Sequence, residues 1–179
     1  MHEGQHHPPS PVNRDGFERI PRIITVTSPA AGAEWTQNVQ SGAVWYVQAI
    51  TQKVVTSAVV ANRVPTITYT DGTTIFARLP PANNQAASLT NRYGYYLGYG
   101  VALSISGIGG VSSPLPNIPL LSGMSISSLT VNLDVGDQIS EVNLYVIEVE
   151  ERAFENQEAW LAPRYTHKSH LAYPSVRED

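Results

Sequence analysis

The sequence predicts an all-β protein, organised as a single antiparallel β-sandwich of the jelly-roll type with an extended N-terminal arm and a C-terminal tail. Two observations lead to this fold class. Runs of β-branched and aromatic residues follow one another between clusters of Gly, Pro, Asp and Asn, and no convincing helical period occurs before residue 150. About eight such runs are separated by turn signals, which favours a jelly roll over an immunoglobulin-like sandwich.

The distribution of charge sets the domain boundaries. Only nine charged residues lie between Ile23 and Ile147, and the rest lie towards the two ends. Residues 1–21 are rich in proline and histidine and have little apolar content, which predicts an extended arm. The β-sandwich is predicted over residues 22–150. The C-terminal arm, residues 151–179, contains a candidate short helix before Pro163.

The first half of the domain shows five strand signals. "RIITVT" (22–27), "AVWYVQAIT" (43–51) and "VVTSAVV" (54–60) are rich in β-formers. "TITYT" and "TTIFA" flank Asp71-Gly72, a pair typical of a two-residue type I′ hairpin turn. Trp35 and Trp45 are predicted to anchor the core.

The clearest alternation occurs in "YGYYLGYGVALSISG". Every odd position from 93 to 105 is large, while the even positions are small apart from Tyr96. This predicts one long strand with a heavy face and a thin face, bent at Gly98 and Gly100.

The last strands read "MSISSLTVNL" and "ISEVNLYVIEVEE", joined by the turn "DVGD" (134–137). A change of phase between Ile126 and Leu129 predicts a β-bulge in the first of them. In the second, Val142, Leu144 and Val146 are expected to share the inner face.

Composition excludes several classes of function. The net charge of −4 argues against a nucleic-acid-binding role. The absence of cysteine removes disulfides and thiolate metal sites, and no apolar run reaches the roughly 18 residues that cross a bilayer. We therefore expect a soluble protein made in a reducing cytoplasm, with neither nucleic acid nor membrane as a partner.

No catalytic constellation is evident, so the sequence predicts neither an enzyme nor a cofactor. All five histidines lie in the arms, which leaves no Ser-His-Asp or Cys-His arrangement within the domain. The arm histidines are expected to be solvated rather than bound to a metal. Asp134 and Asp137 have oxygen ligands suited to Ca²⁺, although a tight turn favours the same residues, and we favour the turn.

Candidate interface residues come from the aromatic side chains and one arginine. The tyrosines Tyr93, Tyr95 and Tyr99 suit either a core or subunit interface, which we favour, or a platform for sugar rings. Phe154 and Trp160 are aromatic residues in the tail, and we expect them to bind in a pocket of a partner protein.

Arg63 is one of four basic residues between positions 23 and 147. It lies in "ANRVP", where Asn62 tolerates turn geometry and Pro65 marks a strand start or a sheet edge. We predict that Arg63 pairs with a carboxylate or with carbonyl groups at a corner of the sandwich or at a subunit contact.

Several of these segments, in this order, resemble minor virion proteins of tailed bacteriophages, of the head-decoration or head-fibre type. The segments are "GAEW" (32–35), "TSAVVANRVP" (56–65), "DG" (71–72), "NQAASLT" (84–90), "LP…IPLLSGMSI" (115–126) and "NLDVGDQIS…LYVIE" (132–148). The resemblance covers roughly residues 30–149 and leaves both arms outside it.

The resemblance implies a non-enzymatic β-sandwich component of the virion. Its expected role is that of a homotrimeric decoration or cement protein, bound to the major capsid protein on the capsid exterior, with one or both arms gripping the shell. The alternative is a fibre or tail-tip module that binds host glycans through Tyr93, Tyr95 and Tyr99. A third alternative, a hydrolase using Asp134 or Glu141, is disfavoured because the domain lacks histidine.

Overall fold

The computed structural model describes residues 18–98, 103–105 and 110–151. These residues form eleven strands. In chain order the strands are β1 (Ile20–Thr25), β2 (Thr36–Asn38), β3 (Ala43–Val55), β4 (Val64–Thr70), β5 (Ile75–Leu79), β6 (Thr90–Leu97), β7 (Leu103–Ile105), β8 (Gly110–Leu115), β9 (Pro119–Leu120), β10 (Ser125–Val131) and β11 (Gln138–Glu150). The predicted tail helix, most of the predicted N-terminal arm, Tyr99, Phe154 and Trp160 lie outside the described residues.

Eight of the strands confirm the predicted jelly roll. They lie in two facing sheets, in the orders β1-β11-β3-β6 and β2-β10-β4-β5. Counted along the chain, the first of the eight pairs with the last, the second with the seventh, the third with the sixth and the fourth with the fifth. All these pairs are antiparallel, so the chain forms one long hairpin rolled into a sandwich, which is the jelly-roll topology.

An insertion between β6 and β10 extends the larger sheet. Strand β8 runs parallel to β6, and β7 pairs antiparallel with β8. Strand β9 pairs with the beginning of β3. The predicted antiparallel sandwich is therefore confirmed, with one parallel pair, β6 and β8, at an edge of the larger sheet.

Two predicted strand boundaries are also wrong. The runs at 43–51 and 54–60 are not separate strands, because β3 continues without interruption to Val55 and the chain then forms a loop. The long strand expected over 93–105 ends at Leu97, and Gly98 has a φ of 81°, a conformation that leaves the strand. Alternation of large and small residues thus predicted the faces of β6 correctly but not its length.

The bulge predicted in β10 is absent. This strand keeps an uninterrupted register with β4, because Leu129 points outward and Ser128 takes the inner position. Shifts of register occur elsewhere: in β11 between Ser140 and Asn143 and again after Tyr145, and between β4 and β5 after Tyr69. The inward set of Val142, Leu144 and Val146 is confirmed, since all three are buried.

The turns are confirmed in position, and one differs in type. Asp71-Gly72 does join two antiparallel strands, but the loop has four residues, 71–74, and only Gly72 has a positive φ. The Asp71 carboxylate accepts hydrogen bonds from the backbone N–H groups of Thr73 (2.8 Å) and Thr74 (2.7 Å). These bonds lower the pKa of Asp71 and favour the longer turn over the two-residue form.

The core lies between the two sheets. Trp35 and Trp45 are buried, as predicted, together with inward residues of both sheets. The indole N–H of Trp35 donates to Gln52 Oε1 (2.9 Å), so a polar atom is satisfied inside the core. Within the described part of the chain, no helix has the length and apolar character needed to cross a membrane.

Candidate functional site

Four loops meet at one end of the sandwich, which we call the Arg63 end. They comprise residues 26–35, 56–63, 80–89 and 132–137, each joining a strand of one sheet to a strand of the other. The pairing of Val55 with both Gln138 and Thr90 places the ends of these strands together. Four of the six segments that carry the phage resemblance therefore lie wholly or partly in one place.

Arg63 holds this end together from the inside. Its side chain is fully buried and pairs with Asp137, which is equally buried, at 2.9 Å between Nε and Oδ2. A second bond runs from Nη2 to Oδ1 of the same carboxylate (3.1 Å), so the ion pair is bidentate. The guanidinium also donates to the carbonyl groups of Val59 (2.6 Å) and Ala61 (2.9 Å) and to Ser57 Oγ (3.0 Å).

Asp137 is equally well satisfied. Besides Arg63 it accepts from the backbone N–H groups of Ser57 (2.8 Å) and Asp134 (2.8 Å). Burial by itself would raise the pKa of Asp137, but the hydrogen bonds from Arg63, Asp134 and Ser57 outweigh it and lower the pKa. The carboxylate is therefore ionised at neutral pH, and its oxygens are occupied by protein donors.

Asp134 and Ser57 tie the two loops side by side. Ser57 Oγ donates to Asp134 Oδ1 (2.9 Å), which also accepts from the backbone of Gly136 (3.0 Å). Asn132 Nδ2 donates to the carbonyl of Asn62 (3.0 Å). The turn interpretation of Asp134 and Asp137 is confirmed by the bond between their backbones, Asp137 N to Asp134 O (2.9 Å). Among the described residues, no group of three side chains is suited to hold a metal ion.

Gln85 connects Arg63 to the core, a role that sequence reasoning missed. The backbones of Gln85 and Arg63 exchange two hydrogen bonds of 2.9 Å. The buried Gln85 side chain accepts from the Tyr93 hydroxyl (2.9 Å) and donates to the carbonyl of Val54 (3.0 Å). Nothing in "PPANNQAAS" distinguishes Gln85 from its polar neighbours, so only the fold reveals it.

The structure brings three of the predicted interface residues together, but in the interior. Arg63, Tyr93 and Tyr95 are at most 2% exposed. Tyr95 donates its hydroxyl to the carbonyl of Pro65 (2.6 Å), and burial raises its pKa. Arg63 therefore lies at a corner of the sandwich, and the two tyrosines lie in its core. Tyr93 and Tyr95 cannot stack on a sugar, because their rings face the opposite sheet.

The surface of the Arg63 end exposes four large apolar side chains among small and polar ones. Val60 is 93% exposed and Val135 83% exposed. They lie on two loops that are joined by the hydrogen bonds among Arg63, Ser57, Asp134 and Asp137, which we call the Arg63 network. Val59 and Leu89 are exposed beside them. A patch of exposed apolar side chains often marks a contact with another molecule.

The four loops contain four charged residues, and each is engaged within the chain. Arg63 and Asp137 pair with each other, and Asp134 is bonded to Ser57 and to Gly136. The Glu34 carboxylate accepts from the backbone N–H of Thr130. The Arg63 end therefore presents exposed valines, and the carboxylates of Glu34 and Asp134 leave it without a net positive charge, which suits a protein partner and not a polyanion.

Gly32 provides a test of how tightly the loops pack. Its φ is 71°, and a Cβ at this position would lie 2.6 Å from the Cα of Val135. Gly32→Ala should cost about 1–2 kcal/mol for the left-handed backbone and about 1–3 kcal/mol more for the clash. Gly42 is the matched control, because its φ is 79° with nothing within 4 Å of a Cβ. Equal losses of unfolding free energy in urea for the two variants would contradict the tight packing.

The depressed pKa of Asp137 predicts acid sensitivity. A carboxylate whose pKa is lowered by folding stabilises the folded state fully above its ordinary unfolded pKa of about 4. That contribution is lost as the pH falls through the lower folded value. Thermal unfolding from pH 7 to pH 2 should show a fall in melting temperature that begins near pH 4. The Asp137→Asn variant should show a shallower fall, and parallel curves for the two proteins would contradict the assignment.

Fold and site together define a jelly-roll β-sandwich protein in which a buried ion pair joins loops that expose valines. The chain matches no protein-family model and no curated protein. It is similar to a chain in the crystal structure of the T13 IBDV viral particle, with 15% sequence identity and a TM-score of 0.32. The similarity covers 74% of this chain and 32% of that chain, so this chain spans about a third of its length. A similarity of this degree carries no argument for fold or function.

Proposed function

We propose that this protein is a non-enzymatic structural component of a bacteriophage virion, a decoration or cement protein that binds the assembled head and stabilises it. The observation that carries the proposal is the Arg63 end. A fully buried ion pair fixes loops whose most exposed large apolar side chains are valines and whose charged groups are all hydrogen-bonded within the chain. Such a surface is built to dock on a protein.

A buried Arg–Asp pair stabilises loops only if its interactions offset the cost of desolvating both charges. Removing both charges from water costs several kcal/mol per ion, and the pair offsets this cost only with good geometry and further hydrogen bonds. Arg63 and Asp137 have both. The network fixes the shape of the loops before any partner arrives, which reduces the entropy lost on docking.

The proposal assigns the partners as follows. The major capsid protein of the head is the partner of the Arg63 end, and the protein itself is a homotrimer on the capsid exterior, made in the bacterial cytoplasm. It needs no cofactor, and it binds neither nucleic acid nor membrane. The sequence resemblance to tailed-phage virion proteins supports this assignment, and so do the jelly roll, a fold that viral capsid proteins use, and the absence of histidine and cysteine from residues 22–150.

Mixing the purified protein with heads assembled without it tests the proposal. We expect saturable co-sedimentation with the heads and a higher temperature of head disruption, because a ligand that binds only the assembled shell stabilises it by mass action. Unassembled capsid subunits are the control and should not bind. Failure to bind the heads, or binding with no gain in head stability, would refute the cement role.

A further inference from the structure

The outer face of the larger sheet carries an open groove of about 350 Å³, distinct from the loops of the Arg63 end. Strands β11, β3, β6 and β8 line it, and their register places Asn143, Thr51, Gly94 and Ser112 side by side across the sheet. The hydroxyls of Thr51 and Ser112 make no hydrogen bond within the described part of the chain. The floor of the groove therefore consists of short, mostly polar side chains that can both donate and accept hydrogen bonds.

A charged cluster forms one wall. The Glu141 carboxylate bridges Lys53 Nζ (3.0 Å) and Arg92 Nη1 (2.7 Å). The hydrogen bond from Lys53 and the charge of Arg92 lower the pKa of Glu141, so the carboxylate is ionised at neutral pH. Glu141 also has a φ of 51°, at the bulge of β11. A non-glycine residue in this conformation is uncommon, and bulges that re-aim a side chain occur often beside binding sites.

Tyr96 forms the other side of the groove. Its phenol end lies over Gly94, in the space that a Cβ would fill. Any larger residue at position 94 would displace the ring, so Gly94 and Tyr96 act as a unit. The aromatic ring thus lies on the sheet beside the polar floor, on the outer face, whereas Tyr93 and Tyr95 face the core.

We infer that this groove binds a neutral saccharide. A sugar ring has one apolar face, which packs on an aromatic side chain, and a rim of hydroxyls, which need both donors and acceptors. Tyr96 supplies the aromatic surface, Arg92 the planar donors and Glu141 the acceptor. Glu141 neutralises one of the two cations, Lys53 and Arg92, so the cluster carries a single net positive charge, which is too little to select a polyanion. The volume is at the small end of the range for ligand sites, which suits one or two sugar residues.

The test is a glycan array probed with the full-length protein, followed by a titration of the best neutral saccharide monitored by NMR. We expect at least one class of neutral glycan to bind and Arg92→Ala to weaken that binding about tenfold or more, because a charge-assisted hydrogen bond is lost. Gly94→Ala should weaken it similarly by displacing the Tyr96 ring. Arg78→Ala is the matched control, since Arg78 is exposed on β5 of the other sheet and should leave binding unchanged.

Three outcomes would overturn the inference. They are no neutral glycan bound at any density on the array, binding confined to sulfated or sialylated glycans and lost in salt, and binding that Arg92→Ala and Gly94→Ala leave intact. The result is separable from the cement role, because Arg92→Ala should bind heads normally.

Discussion

Arg63→Ala is expected to destabilise the folded protein by about 3–5 kcal/mol, the cost of leaving a buried charge without its partner. The Asp137 carboxylate would remain buried among the backbone N–H groups of Ser57 and Asp134, and the carbonyls of Val59 and Ala61 would lose their donor. Urea unfolding followed by circular dichroism measures the change. Arg78→Ala is the matched control: Arg78 is exposed on β5, and its loss should change the free energy of unfolding by less than about 0.5 kcal/mol.

The double variant Arg63→Ala/Asp137→Ala sharpens this prediction. Removing both charges eliminates the uncompensated ion, so the double variant should lose less stability than the two single variants added together, by about 0.5–3 kcal/mol. Strict additivity would show that the two side chains act independently and would contradict the buried pair. A stable Arg63→Ala protein with normal trimers and normal binding to heads would contradict the role of the network altogether.

Val60→Asp and Val135→Asp are expected to reduce binding to heads by at least about tenfold each, because each places an unpaired carboxylate in an apolar contact. The fold should be unaffected, since both side chains are almost fully exposed. If the protein is a trimer, multivalency will amplify the loss on the head surface. Co-sedimentation with heads, at matched protein concentrations, gives the apparent affinities.

Ile75→Asp is the matched control for the valine variants. Ile75 is exposed beside the 71–74 turn, at the opposite end of the sandwich, so it should bind heads as the unaltered protein does. If Val60→Asp and Val135→Asp also bind normally, the contact lies elsewhere and the docking role of the Arg63 end is wrong. If they bind normally but no longer form trimers, the valines face a second copy of this chain.

The jelly roll was predictable from sequence because about eight runs of β-forming residues are separated by turn signals, and alternation then gives the faces of some strands. Val142, Leu144 and Val146 alternate with polar residues, so their inward orientation follows directly. Arg63 was predictable as a corner residue because asparagine and proline flank it in a chain with little charge. Serine has no strong preference for either face, and so "SISSL" did not reveal that Leu129 faces outward.

The partner of Arg63 was not predictable from one sequence. Asp137 lies 74 residues away, and the sequence alone does not distinguish it from the other carboxylates that could pair with Arg63. The groove was equally hidden, because it depends on which strands are neighbours. Tyr96 and Ser112 come together only because β8 inserts parallel to β6. Pairing across the sandwich, rather than local pattern, decides these contacts.

The pairing of the first strand with the last has a mechanical consequence. Ile20 lies opposite Glu148, so β1 and β11 both reach the end of the sandwich farthest from the Arg63 network. Tension applied between residues 20 and 150 would break the β1–β11 hydrogen bonds one after another, in the unzipping geometry. Tension between either of these residues and the Arg63 end would load the same bonds together, in shear. The sandwich should therefore resist tension along its length far better than tension that separates residue 20 from residue 150.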